Sequence, residues 1–236
     1  MLRSMSDLEN YAIRAIDGPI GHVKDFYFDD ETWVIRYLVV ETGTWLSSRK
    51  VLISPFAIGP PDWAGKVLPV SITKEQVRNS PDIDTNRPIS RQHEIGYLGY
   101  YGYPYYWGGA GLWGAGVSPS MMLPGAGSGS FETEYNKRRL LESGSGKHDD
   151  PDLRSCKAIV NYHIDARDGD IGHVHGLLVD EESWAIRYMI VQTSNWWGDH
   201  QVLIDPQSIQ EVSWLDHTVT VDLTRQAVKD SSPYDE

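Results

Sequence analysis

The stretch DGPIGHVKDFYFDDETWVIRYLVVET, from Asp17 to Thr42, returns 151 residues later as DGDIGHVHGLLVDEESWAIRYMIVQT, from Asp168 to Thr193. The register holds without a gap from Asp17 to Ile58, where 20 of 42 positions are identical to their counterparts. Beyond that run Trp63 still meets Trp214. Self-similarity of this kind marks a duplicated structural unit. The sequence is therefore read as two copies, over 1–85 and 151–236, separated by a Gly/Tyr/Pro-rich linker over 86–150 that is partly disordered.

Each copy reads as strands. In WVIRYLVVET the residues Trp33, Ile35, Tyr37 and Val39 fall on one face by simple alternation, and Val34, Arg36, Leu38 and Val40 on the other. Both faces are largely apolar, as a strand in a closed barrel requires. KVLIS, KVLPVSI and their counterparts QVLID and TVTVDL supply further short strands, and Pro55 and Pro206 close one of them. Asp17-Gly18 and Asp168-Gly169 are turn dipeptides, and Thr73 and Thr224 open a helical turn or two at the end of each copy. The fold class expected is mainly β: two small antiparallel barrels, each with a short C-terminal helix, joined by the aromatic linker.

The run G-H-V-x-x-x-x-x-D-x-E-x-W-x-I-R-Y followed by V-L-I-x-P resembles the PRC-barrel family, which includes the cytoplasmic barrel of the photosynthetic reaction-centre H subunit and the C-terminal barrel of the ribosome-maturation factor RimM. Within that family the sequence is most similar to bacterial proteins with two such barrels around an aromatic, glycine-rich middle. The resemblance implies a fold, and a role as adaptor or assembly module rather than one chemistry.

Composition narrows the function classes. The net charge is -12, and the C-terminal copy carries most of it, with 6 basic against 15 acidic residues. An acidic surface repels phosphate backbones, so no nucleic-acid partner is expected. Cys156 is the one cysteine, which rules out an intrachain disulfide framework, and the first residues lack the apolar core of a signal peptide. A cytoplasmic location is the expectation. No nucleophile-elbow, zinc-protease, Cys-x-x-Cys or phosphate-loop motif occurs, so the chain is read as a non-enzyme with no cofactor.

The residues singled out are those that recur or stand out. Asp29, Glu31 and Arg36 return as Asp180, Glu182 and Arg187. An arginine on an apolar strand needs a carboxylate, so a barrel-end Arg–Asp pair is expected in both copies. The family resemblance adds that the H subunit carries acidic residues and an arginine near its proton-entry route. His173 and His175 form an H-x-H whose alternation would place both rings on one face, a geometry for Zn or Ni, but Lys24 replaces the second histidine in the first copy and no third ligand is identifiable. No metal site is assigned.

The linker segment GYLGYYGYPYYWGGAGLWGAG, Gly96 to Gly116, carries no charge and is long enough to span a bilayer. Glycine and tyrosine dominate it, Pro104 interrupts it and aliphatic side chains are scarce, so no transmembrane segment is expected. It lacks the Arg or Lys of a nucleic-acid stacking platform. Its aromatics exceed what a spacer needs. Tyr100, Tyr101, Tyr103, Tyr105, Tyr106 and Trp107, with Trp197 in the second copy, are the expected partner contacts, docking onto the barrels or a second subunit, while Gly125 to Ser130 is mobile. The function expected is a protein–protein interaction or scaffold module with an unnamed protein partner. A homodimer through barrels and linker is the first case, and peripheral membrane association is left open. The alternatives are a metal or small-molecule sensor using the second copy, and a reaction-centre-like assembly or electron-transfer role.

Overall fold

The computed structural model describes residues 1–83, 89, 91–107, 109–121, 153–193 and 200–234. Among these residues the protein is mainly β, with two sheets and few helices. It divides into two compact units that do not follow chain order. The first unit comprises Glu9–Arg154 and Glu182–Trp184, and the second comprises Met1–Leu8, Ser155–Glu181 and Ala185–Glu236.

In chain order the strands are β1 (Leu2–Ser4), β2 (Ala12–Ala15), β3 (Gly18–Asp29), β4 (Val34–Thr42), β5 (Lys50–Ile53), β6 (Val67–Pro69), β7 (Leu153–Ser155), β8 (His163–Ala166), β9 (Gly169–Asp180), β10 (Ile186–Thr193), β11 (Gln201–Ile204), β12 (Ile209–Ser213) and β13 (Thr218–Val221). Among the described residues the helices are α1 (Met5–Leu8), α2 (Lys74–Arg78), α3 (Arg91–Tyr101), α4 (Cys156–Ile159) and α5 (Arg225–Lys229), with short 3₁₀ turns between strands.

In the first unit the sheet runs β5-β4-β3-β2-β6, and β7 adds to β3. In the second it runs β11-β10-β9-β8-β13-β12, and β1 adds to β9. Along the two paths neighbours are antiparallel except β2 with β6 and β8 with β13, the same parallel pair in each copy. Among the described residues both paths are open, so the closure expected of a barrel is not present as a continuous ladder. In the first unit the chain opposite β6 makes only the isolated bridges Ile58↔Val70 and Asp62↔Val67, where the second unit forms the full strand β12. Pro60 and Pro61 fall in that segment and have no N–H to donate to a ladder.

The repeat extends to unusual backbone. Asn10, Trp33 and Lys66 have φ of 66°, 55° and 52°, and their counterparts Asn161, Trp184 and His217 have 70°, 57° and 56°. A tryptophan in the left-handed region is uncommon. Two occurrences at matched positions show that the β3–β4 and β9–β10 turns share one geometry.

Both copies also carry the same bulges. Tyr27 pairs with Tyr37 and Phe28 with Ile35, so Arg36 is the extra residue; Leu178 pairs with Tyr188 and Val179 with Ile186, so Arg187 is extra in turn. Lys24 and His175 are extra residues in the same way. A bulge bends the strand and interrupts its alternation. Ile35 and Tyr37, opposite consecutive residues of β3, therefore do not share the face that simple alternation assigned them.

One architectural feature was not read from the sequence. The tripeptide LRS occurs at Leu2–Ser4 and Leu153–Ser155, and each copy's tripeptide joins the strands contributed by the other copy: β1 pairs with β9, with Leu2 opposite Asp180 and Ser4 opposite Leu178, and β7 pairs with β3. Matching ion pairs secure them. Arg3 Nε lies 3.1 Å from Glu181 in the second unit, and Arg154 Nε lies 3.1 Å from Asp30 in the first. Burial raises the Asp30 carboxyl pKa, and Arg154 opposes the shift.

Candidate functional site: a covered arginine and a buried carboxylate

The first unit gathers its buried charges at one end of β3 and β4. Asp29 ends β3, and its Oδ1 accepts the backbone N–H groups of Glu31 and Thr32 at 3.1 Å each, an Asx arrangement that shapes the turn. Its Oδ2 lies 3.3 Å from Arg36 NH2. Arg36, at the bulge, is 2% exposed. Besides Asp29 it donates to Thr32 Oγ1 at 3.1 Å and to the Leu112 carbonyl at 2.6 Å. Its guanidinium lies 3.8 Å from the centre of the Tyr106 ring and 4.8 Å from that of Trp113. Planar guanidinium on aromatic faces is favourable where water is excluded. Its Nε is buried without a hydrogen bond.

The cover comes from the Gly/Tyr region. Its first part is helix α3, on which Glu94, Tyr97 and Leu98 are buried and follow helical spacing. Tyr97 packs edge-on against Tyr37 at 4.9 Å and donates to the Leu52 carbonyl at 2.9 Å. After α3 the chain forms a strap, residues 102–107 and 109–116, held by Gly114 N–H to the Tyr106 carbonyl at 2.7 Å and Gly111 N–H to the Gly114 carbonyl at 2.7 Å. The glycines permit that tightness, since a Cβ on Gly111 would stand 2.3 Å from the Gly116 oxygen and one on Gly109 2.2 Å from Gly114. Trp113 is fully buried and donates to the Ser183 carbonyl at 2.7 Å, within the first unit.

Glu94 joins helix, strap and sheet. It is 1% exposed. Its Oε2 lies 3.0 Å from Arg91 NH1, its Oε1 accepts the Tyr106 hydroxyl, and Arg91 NH1 also donates to that hydroxyl at 3.0 Å. Burial pushes the Glu94 carboxyl up to about 7; Arg91, the Tyr106 hydroxyl and Arg36 pull it down, and Asp29 adds to the rise. Burial likewise holds the Tyr106 phenol well above its ordinary value, with Glu94 adding to the rise. The Tyr37 hydroxyl is buried, faces Glu94 and makes no hydrogen bond of ordinary geometry.

The other expected residues fall as follows. Glu31 and Glu182 are exposed on their turns. Asp180 and Arg187 face each other at 3.8 Å in the second unit, with Arg187 half exposed. Tyr100 is partly exposed and donates to the Gln76 carbonyl at 2.9 Å; Tyr101 and Tyr103 stack at 5.4 Å, and Tyr103 reaches Phe56 at 5.5 Å. Trp107 stacks on Tyr105 at 4.7 Å and lies beneath Arg91 at 4.4 Å. Trp197 and Gly125 to Ser130 lie outside the described residues. His175 sits in a bulge and is exposed, while His173 is half-buried opposite His163. Among the described residues no group of three or more His, Cys, Asp or Glu is arranged to hold a metal ion.

Sequence reasoning missed Glu94, Arg91, Leu112, Trp113 and Ser183. The signal for the first two was available, because Arg91 and Glu94 are spaced i, i+3 and Glu94, Tyr97 and Leu98 lie on one helical stripe. Nothing in the sequence marked the carbonyls of Leu112 and Ser183.

Residues 2–75, which contain Asp29 and Arg36 with their shared bulge, match the PRC-barrel domain family model. That segment belongs to the PRC-barrel family. An uncharacterized protein of Deinococcus radiodurans is similar to this chain, at 36% identity over 73 residues; the match covers 31% of this chain and 26% of that protein, so the chain spans about a quarter of the relative's length. The PRC-barrel segment thus includes β1, the strand that completes the second unit's sheet, whereas α3 and the strap lie outside it. Among the described residues no helix is long and apolar enough to cross a membrane.

Proposed function

We propose that this chain is a non-catalytic assembly module built from two PRC-type barrels, acting through protein–protein contacts. The observation that carries the reading is the use made of Arg36. Its donors go to Asp29, Thr32 and the Leu112 carbonyl, and aromatic rings cover its face. An arginine held this way is framework, and the constellation that might have served chemistry is closed over.

The second half is a barrel of the same kind in this reading, which rests on the shared bulges, the shared left-handed residues and the matching parallel strand pair. Its Arg187, half exposed, is the contact point we assign to a partner protein, with a second copy of this chain as the first case. A cytoplasmic location fits a sequence whose single cysteine, Cys156, is buried.

The test is site-specific photo-crosslinking in the source cell, with a photoreactive residue replacing Arg187 and the same residue at exposed Gln210 as reference. Discrete protein adducts at 187, including a dimer of this chain, are expected. Equal or absent adducts at the two positions would sink the reading.

A further inference from the structure

We propose that Glu94 and Tyr106 form a proton-operated latch: a proton on Glu94 holds the aromatic strap closed over Arg36, and loss of that proton loosens it. The latch goes beyond the assembly reading, and its test measures strap closure rather than partner binding.

The geometry supplies the three parts of such a device. The strap is a loop outside the sheet ladders, fixed to α3 through Tyr106 and Glu94, and to the rest of the first unit through Trp113 and the Leu112 carbonyl. Glu94 lies on the helix, so opening the strap would return it to water. Among the described residues, the charged or titratable groups facing it are Arg91 on its own helix, Tyr106 on the strap, Arg36 and Tyr37 on β4, and Asp29 at the end of β3. Arg36 is already committed to Asp29, Thr32 and Leu112, which limits what it offers to Glu94. Arg91 shares NH1 between Glu94 and the Tyr106 hydroxyl. The closed state therefore holds an ionised Glu94 away from water with incomplete compensation, and an uncharged one at much lower cost.

The sign follows from the direction of the shift. Glu94 titrates near 7 when covered and near 4.5 as an ordinary glutamate, so closure is favoured most below the lower value and is lost as pH rises through the upper one. Between pH 5.5 and 8.5 the closing equilibrium should weaken by roughly 30-fold.

The experiment is amide hydrogen exchange on the full chain at pH 5.5 and 8.5, expressed as protection factors. The Gly111 and Gly114 amides, whose acceptors lie within the strap, are expected to lose roughly 30-fold in protection at the higher pH. The Val40 and Val23 ladder should stay constant, and Glu94→Gln should keep the strap amides protected at both values. Flat protection in the wild-type chain would overturn the latch, as would a Glu94→Gln strap that is less protected than wild type at pH 8.5. Should that variant fail to fold, the carboxyl carbon shift of Glu94 in the wild-type chain decides. A midpoint near 7 coinciding with the loss of protection supports the latch, and an ionised Glu94 at pH 5.5 overturns it.

Discussion

The same Asp–Arg pair occurs twice in this chain and lives in two different environments. In the first unit Arg36 and Asp29 are buried, 3.3 Å apart, beneath Tyr106 and Trp113. In the second, Arg187 and Asp180 are 3.8 Å apart and Arg187 is half exposed. Turn geometry and bulge are common to both, so the pair belongs to the fold. Burial is what differs, and burial changes the energetics of one arginine more than its sequence context does.

The largest expected effect breaks this comparison directly. Arg36→Ala leaves Asp29 buried without its cation and removes the platform under two rings, at a cost of about 3–5 kcal/mol. Arg187→Ala removes a solvated pair and should cost about 1 kcal/mol or less. Urea denaturation of the two variants measures both values. Equal losses would show that the strap does not set the environment of Arg36.

A middle-sized effect sharpens the role of the cover. Trp113→Phe keeps most of the buried ring and deletes the N–H that reaches the Ser183 carbonyl. Loss of that buried hydrogen bond predicts a destabilisation of about 1 kcal/mol. Exchange should quicken at the Gly114 amide while the second unit's strands stay unchanged. A variant as stable as wild type would mean that Ser183 finds another donor.

How much of this was legible in the sequence depended on range. The duplication, the strands, the turn residues and the Asp–Arg pairing are local or repeated, and the ungapped match from Asp17 to Ile58 displays them. Face assignment failed at Arg36 because a one-residue bulge leaves the hydrophobic pattern intact while shifting register. The exchange of the two LRS strands was written in the 151-residue offset but too short to stand out. Strap docking was less accessible still: its acceptors are the backbone carbonyls of Leu112 and Ser183, which residue identity does not reveal. Glu94 was hidden by its position at the edge of an uncharged stretch, although its helical stripe with Tyr97 and Leu98 was there to be read.

The smallest expected effect probes a place where the copies nearly agree. Thr73 and Thr224 both cap short helices, accepting the N–H groups of Gln76 and Ala227 at 3.2 Å. In the first copy Gln76 also reaches back to the Thr73 backbone N–H at 2.9 Å, completing a reciprocal box, and Ala227 in the second copy has no side chain able to do so. Replacing either threonine by alanine should cost about 1 kcal/mol, the range for loss of a capping hydroxyl. Gln76→Ala should cost a further few tenths in the first copy, because the Thr73 N–H loses its partner while remaining open to water. Installing glutamine at Ala227 should recover a similar amount in the second. If Ala227→Gln gives no gain in melting temperature, the two caps differ in backbone geometry and not only in the third residue. Equivalence of the copies would then end at the sheets, and the helices that follow them would have to be treated as separate designs.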